Sequence, residues 1–258
     1  MRLPTGCELL RGVLIAIICC HFCTMGMAQQ SQRDPMPDAP SLSQQPQTST
    51  EATTAFQSGV AMVLTLQNKS RVFPDLATNA GPLDSWQKFK LAANNSLSLS
   101  TFGAAVIGSS FGQATNRPAG YGQEIGAYSK RFGADMARAA SSNLFGTYMI
   151  ASVAREDPRF YIKRDLDFGE SAKYAAARLV ITRSDAGKQV INYAGLVGPL
   201  AGEALANIYY PRGSRGVEST LIRYASDQGW RFCGNLLRQY WPTINKRFRL
   251  VPEISSSP

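Results

Sequence analysis

The stretch YGQEIGAYSKRFGADMARAA, residues 121–140, decides the fold class. Tyr121, Ile125, Tyr128, Phe132, Met136 and Ala139 recur in it at steps of three and four, which puts them on one face of an α-helix rather than on one side of a strand. Beside them runs a second stripe of Gly122, Gly126, Gly133, Ala137 and Ala140. A bulky ridge next to a small-residue groove lets another backbone approach closely. The stretch therefore predicts a helix inside a tightly packed bundle.

Upstream, Asn79-Ala80-Gly81-Pro82 predicts a turn, and Asp84 or Ser85 can cap a helix over 86–112. Asn116-Arg117-Pro118-Ala119-Gly120 then breaks the chain before the central helix. Downstream, Arg155-Glu156-Asp157-Pro158 ends that helix, and a charged inter-helix loop follows as far as Glu170. A shorter helix is expected over 171–182, a turn at Ser184-Asp185-Ala186-Gly187, and a helix over 189–209 kinked at Gly198-Pro199. A last helix should start near Ser214 and stop before Pro242, with Val217, Leu221, Phe232 and Leu236 on its apolar side and Arg223, Arg231 and Arg238 on its other surfaces. Residues 61–66 are apolar and fit either a strand or a helical turn. The expectation is a mainly α protein: a bundle of about five helices with Gly/Ala/Ser packing faces and no substantial sheet or internal repeat.

The N-terminal part reads differently. Arg2 and Arg11, an apolar run over 12–22 and the small residues Gly26-Met27-Ala28 have the pattern of a secretory signal over 1–28. The run is shorter than the roughly 20 residues of a spanning helix. Residues 29–58 are rich in Gln, Ser, Thr and Pro and read as a disordered tether, followed by one helical domain over 59–250 and a flexible tail over 251–258. Loss of the leader would remove His21, Cys7, Cys19, Cys20 and Cys23, leaving Cys233 and no His. A Ser-His-Asp triad, a His-containing metal site and an intramolecular disulfide are then excluded, and Cys233 reads as a small buried hydrophobe. No phosphate-cradling Gly-rich loop is present, and neither a metal nor a cofactor is expected.

The chain carries a formal net charge of +9. The leader holds two of its Arg and one Glu, so the remainder carries +8. For an exported protein that surplus points to membrane lipids or an anionic envelope polymer as partner. Nucleic acid is not expected, because no basic residues interleave with aromatics as a stacking groove requires. Three stretches lack charge, at 91–116, 139–154 and 189–202, with small-xxx-small pairs in or beside them at Gly108 and Gly112, Gly122 and Gly126, and Gly198 and Gly202. Such pairs pack helices closely in a bilayer and in a water-facing bundle alike, within one chain or between copies in a homo-oligomer. The stretch 139–154 reaches only about 24 Å as a helix against a hydrocarbon core of about 30 Å. A surface-bound bundle therefore fits better than a spanning one, with Trp86, Tyr209, Tyr210, Trp230 and Trp241 as interfacial anchors or core residues.

Two groups remain as candidates for chemistry. Glu203 lies between apolar turns with Asn207 four residues on, so it can serve as a buried general acid or take a structural pairing with Asn207 or an Arg. Arg155, Arg159, Lys163 and Arg164 could bind an anion, although the acidic residues among them also favour local ion pairs. Glu124 and Asp135, with Arg131 and Arg138 nearby, read as surface charges.

Tyr128-Ser129-Lys130-Arg131-Phe132-Gly133-Ala134, Arg155-Glu156-Asp157-Pro158-Arg159-Phe160, Thr182-Arg183-Ser184-Asp185, Asn207-Ile208-Tyr209-Tyr210-Pro211 and Tyr240-Trp241-Pro242 together resemble a family of bacterial secreted or envelope proteins with no established activity. The resemblance covers about residues 83–247 and implies export and a shared helical fold, but no catalytic residues. Where that family often has an acidic residue after Trp-Pro, this chain has Thr243. The leading functional expectation is a non-enzymatic, membrane-associated helical protein of the bacterial envelope or periplasm, marked by outward-facing apolar surface. The alternatives are a carboxylate-dependent hydrolase or lyase acting on an envelope polymer or lipid, and a soluble periplasmic anion-binding module.

Overall fold

The computed structural model describes residues 71–77 and 81–248. The leader over 1–28, the tether over 29–58, the stretch 61–66 and the tail over 251–258 lie outside the described residues.

Six helices dominate: α1 Ser85–Ser96, α2 Leu99–Ala114, α3 Ile125–Asn143, α4 Phe168–Val180, α5 Tyr193–Ala206 and α6 Val217–Phe248. The expected mainly helical bundle is thus present. The single helix expected over 86–112 is two, because Ser98 starts a new one: its hydroxyl accepts from the Thr101 N–H at 3.2 Å while Ser98 itself is buried. Asp84 begins α1 with a reciprocal capping box to Gln87, and Asp167 does the same for α4 with Glu170, which moves the start of α4 ahead of the expected 171. Beyond Asn143, α3 runs on through a π-helical stretch, Leu144–Ile150, and a last α-turn, Ala151–Val153.

The expected absence of a substantial sheet holds, but a small antiparallel one is present where loop and helix were expected. Its strands are β1 Glu156–Asp157, β2 Ile181–Ser184 and β3 Gln189–Ile191, in the order β1-β2-β3. Arg155, with φ of +52°, turns the chain out of the helix into β1, and Glu156 pairs with Ser184. β2 and β3 form a hairpin with Thr182 opposite Val190, and Gly187 takes φ of +81° in its turn. The β-branched residues Ile181, Thr182, Val190 and Ile191 favour this pairing. The helix expected from 189 therefore begins only after Asn192, whose side chain accepts from the Gly195 N–H.

Two prolines sit inside helices. Pro199 lies within α5, where it cannot donate to the Gly195 carbonyl; Gln228 Nε2 of α6 donates to that carbonyl at 3.2 Å instead. Pro242, expected as a stop, lies inside α6, exposed near its end.

α5 packs against α3 and its π-helical extension, α2 lies along α3, and α6 packs on α4 and α5. The interfaces are narrow because the buried positions are small. The inward face of α3 is Ala127, Arg131, Ala134 and Ser142, and that of α2 is Ala105, Ser109 and Gly112. Neither stripe read from residues 121–140 is this face: Gly122, Gly126, Gly133, Ala137 and Ala140 are exposed, Ile125 is 89% exposed, and the other bulky residues are half-buried.

Candidate functional site

The interior of this bundle is built from charged and small side chains. Glu203, 1% exposed, lies at the centre of the ion-paired part. Its Oε1 accepts from Arg138 Nη1 of α3 at 3.0 Å, and its Oε2 accepts from Arg223 Nε of α6 at 2.9 Å. Arg138 Nη1 also meets Asp227 Oδ1 at 2.8 Å. Burial alone would lower the Arg138 pKa, but the carboxylates of Asp227, Glu203 and Asp135 outweigh it and raise that pKa well above the ordinary value. Asn207 does not bond Glu203. Its Oδ1 accepts from Arg223 Nη2 at 3.0 Å and its Nδ2 donates to Thr220 Oγ1 at 2.7 Å. The two candidate residues therefore belong to one network joining α3, α5 and α6, with both Glu203 oxygens held by guanidinium groups. That is the arrangement of a structural clasp, whose removal would leave Arg223 without its carboxylate partner.

The anion-binding set of Arg155, Arg159, Lys163 and Arg164 does not come together as a free cluster. Arg155, Lys163 and Arg164 are exposed, whereas Arg159 is buried and grips Asp157, with Nη2 at 2.7 Å from Oδ2. The Tyr161 hydroxyl donates to the same carboxylate at 2.5 Å. Burial pushes the Asp157 pKa up, and the bonds from the Arg159 side chain, Tyr161 and the Arg159 N–H bring it below the ordinary aspartate value. Lys163 lies over the Tyr174 ring at 4.7 Å.

Asp135 and Arg131, read as surface charges, are also drawn inward. Asp135 accepts from the Ser109 hydroxyl at 2.9 Å, and desolvation raises its pKa. Arg131, 3% exposed, donates to the carbonyls of Arg117, Gly122 and Pro118 and to the Gln113 side chain. Glu124 is exposed, as expected.

Lys88 and Glu156 were missed in the sequence. Lys88, 2% exposed, donates to Asp185 Oδ2 at 2.8 Å and to the Ala151 carbonyl at 3.1 Å, tying α1 to the hairpin and to the end of the π-helical stretch. The Glu156 carboxylate accepts from the backbone N–H groups of Tyr193 and Ala194, each at 3.0 Å, at the N-terminus of α5. Neither carried a signal in the sequence: Lys88 lies between Gln87 and Phe89-Lys90, and Glu156 lies between Arg155 and Asp157, as surface charges do.

The glycine pairs divide. A Cβ on Gly198 would lie 2.6 Å from the Gly146 nitrogen, and one on Gly202 would lie 2.5 Å from Ser142 Oγ, so this pair sets the approach of α5 to α3. A Cβ on Gly112 would lie 2.6 Å from the Arg117 oxygen, and one on Gly108 would lie 3.2 Å from Asp135 Oδ2. Gly122 and Gly126 are not packing residues of this kind: Gly122 turns the chain at φ of +85°, and no atom lies within 4 Å of a Cβ on Gly126.

The outside is apolar where the inside is polar. Along α5 and just beyond it, Tyr193, Val197, Leu200 and Ile208 are exposed while Gly195, Gly198, Gly202, Glu203 and Ala206 are buried. Leu99, Phe102 and Ile107 of α2 are at least half exposed. On α1, Trp86 stacks on Phe89 at 5.2 Å between ring centroids, and both are exposed. Leu144, Met149 and Val153 continue this along the end of α3. By contrast, the large buried hydrophobic residues among those described are Phe73, Leu91, Phe160, Tyr210 and Leu236. Of the five aromatic anchor candidates, only Trp86 is exposed. Tyr210 is in the core with Ala134 and Ala206, Tyr209 packs against it, and Trp241 meets Phe73 edge-on. Cys233 is buried on α6, and among the described residues no group of three His, Cys, Asp or Glu is placed to hold a metal ion.

Compared with known protein families, curated proteins and solved structures, the chain gives no match.

Proposed function

We propose that this chain is a non-enzymatic helical protein of the bacterial envelope that lies against a membrane, its apolar helix faces turned to the acyl chains and its basic surplus meeting anionic headgroups. The observation that carries this reading is the inverted burial: large apolar side chains crowd the outer faces of α1, α2 and α5, while the interior holds alanine, glycine and paired charges. Soluble monomers rarely expose contiguous apolar patches beyond a few hundred Å². Helices that meet through small and polar residues need no hydrophobic core to hold them together, which suits an apolar surrounding. Among the described residues no helix is long and apolar enough to cross a membrane. The proposed position is therefore interfacial, with the outward side chains immersed to about 5–10 Å.

A carboxylate enzyme centred on Glu203 is less well supported, because both oxygens of that carboxylate already hold guanidinium groups. An anion-binding module on residues 155–164 is weakened by the Arg159–Asp157 pair.

Flotation with vesicles of phosphatidylethanolamine and phosphatidylglycerol tests the proposal. The chain lacking 1–28 should float with the lipid, and apolar immersion should keep it there at about 1 M salt, where the Debye length is about 3 Å. Val197→Glu combined with Leu200→Glu places charges on the outer face of α5, where the folded chain tolerates them, and should weaken flotation by about tenfold or more. A chain that stays with the soluble fraction as a stable dimer would assign these faces to a second copy and defeat the proposal, as would a double variant that floats like the parent.

A further inference from the structure

Where α1, α2, α3, α4 and α6 converge on the N-terminus of α5, they enclose a cavity of about 130 Å³. Three arginines reach its wall, Arg178 from α4 and Arg231 and Arg238 from α6, against one carboxylate, Asp75. Arg238 Nε binds both oxygens of Asp75, at 3.0 and 2.8 Å, so that pair is balanced. Arg178 spends its two terminal nitrogens on the carbonyls of Ile181 and Arg159, at 3.2 and 3.0 Å, which neutralise no charge, and its Nε is buried without a partner. Arg231 makes neither a hydrogen bond nor an ion pair among the described residues. Asp227, the acid that acts on it most strongly, is already held by Arg138. The wall thus carries a surplus of two positive charges.

Two further residues of the lining are nine-tenths buried, Ser142 of α3 and Asn95 of α1, and the amide oxygen of Asn95 has no partner. Polar groups left unpaired in an interior are costly, and half-buried guanidinium groups without a counter-charge beside one of them suit a ligand that pairs both. Desolvation already lowers the pKa of both Arg178 and Arg231, as expected for cations short of counter-charge.

We propose that this cavity binds a phosphate group. A phosphate carries one to two negative charges and several acceptor oxygens. Guanidinium groups match those oxygens with paired N–H donors, and a protonated phosphate oxygen can donate to the Asn95 amide oxygen. The space accommodates a group of that size, and Arg231, Arg238 and Asn235 keep part of their surface accessible for entry. The phosphate can be the free ion or the headgroup of a phospholipid. None of the outward residues Tyr193, Val197, Leu200 and Ile208 lines the cavity, so binding of free phosphate does not depend on membrane attachment.

Isothermal titration of the chain lacking 1–28, in phosphate-free buffer, with inorganic phosphate and separately with monomeric dihexanoyl phosphatidic acid, tests it. Saturable binding is expected, and Arg231→Gln should weaken it by about tenfold or more. Arg231 holds no bond that the fold needs, and circular dichroism checks that the variant is folded. Asn95→Ala supplies a second variant, expected to weaken binding in the same direction. Tighter binding of the lipid than of phosphate, with competition between them, identifies the headgroup; comparable or weaker lipid binding identifies the free ion. No saturable binding of either ligand, or unchanged binding in both variants, overturns the proposal.

Discussion

Glu203→Ala should lower the stability of the folded chain by about 3–5 kcal/mol, the cost of breaking a buried ion pair from one side. The substitution strands Arg223, which faces Glu203 through Nε, and leaves Arg138 with Asp227 and the more distant Asp135. It also cuts the carboxylate's bonds from α5 to α3 and to α6. Denaturant unfolding followed by circular dichroism reads the loss as a lower midpoint at unchanged slope. Glu203→Gln retains an acceptor oxygen and should lose less. The sign separates two roles for this carboxylate. A catalytic acid held in an unfavourable setting often stabilises the fold when neutralised, whereas a clasp destabilises it. A stability at or above that of the parent would remove the structural role assigned to Glu203.

Gly198→Val should cost about 3 kcal/mol or more, at or beyond the upper end for overpacking, because the obstacle is backbone. The added Cβ would meet the Cα and nitrogen of Gly146 and would lie 3.4 Å from the Ser142 oxygen, none of which can rotate away. α5 would have to lift from α3 along the contact that organises the bundle. Gly133→Ala is the matched control: no atom lies within 4 Å of its Cβ, and better helix propensity should raise stability by about 0.5–1 kcal/mol. Thermal unfolding of the two variants should therefore move in opposite directions. Equal small effects would mean that the α3–α5 approach does not depend on Gly198.

The helix read over residues 121–140 was legible because its periodicity is sustained, although it begins only at Ile125, after the turn at Gly122, and its orientation was not legible. Both stripes visible in the sequence point away from, or only graze, the interior. The inward line passes through Arg131 and Arg138, which an apolar-inside rule assigns to the surface. The same rule misplaced Asp135. The break at Ser98 hid within a run of helix-compatible residues, although Ser98 with Thr101 three positions on was a readable cap. Strands of two to four residues are too short to show alternation, so β1 to β3 passed for loop and helix. Pro242 misled through a local rule that the long α6 overrides, and Pro199 is accommodated by Gln228, a partner far along the chain. Glu203 was singled out for its apolar flanks. Its pairing with an arginine of another helix was one of the structural roles open to it, but that Arg138 and Arg223 would both reach it depends on the packing of three helices.

These differences share one origin. In this chain burial follows size and pairing more closely than hydrophobicity: Ala151, Ala175 and Ala206 have no exposed surface, Glu156 and Glu203 are 1% exposed, and Val153 and Val217 are largely exposed. Such an arrangement gains little from moving apolar area out of water within the monomer. It becomes favourable when the outer faces meet an apolar phase.

Fractionation of the native host tests that claim most directly. Membranes are separated from soluble material, then washed with high salt and with alkaline carbonate. The account predicts the chain in the membrane fraction, retained through the salt wash because its contact is apolar, and released by carbonate because no described helix is long and apolar enough to cross the bilayer. Recovery of the chain in the soluble fraction would contradict it.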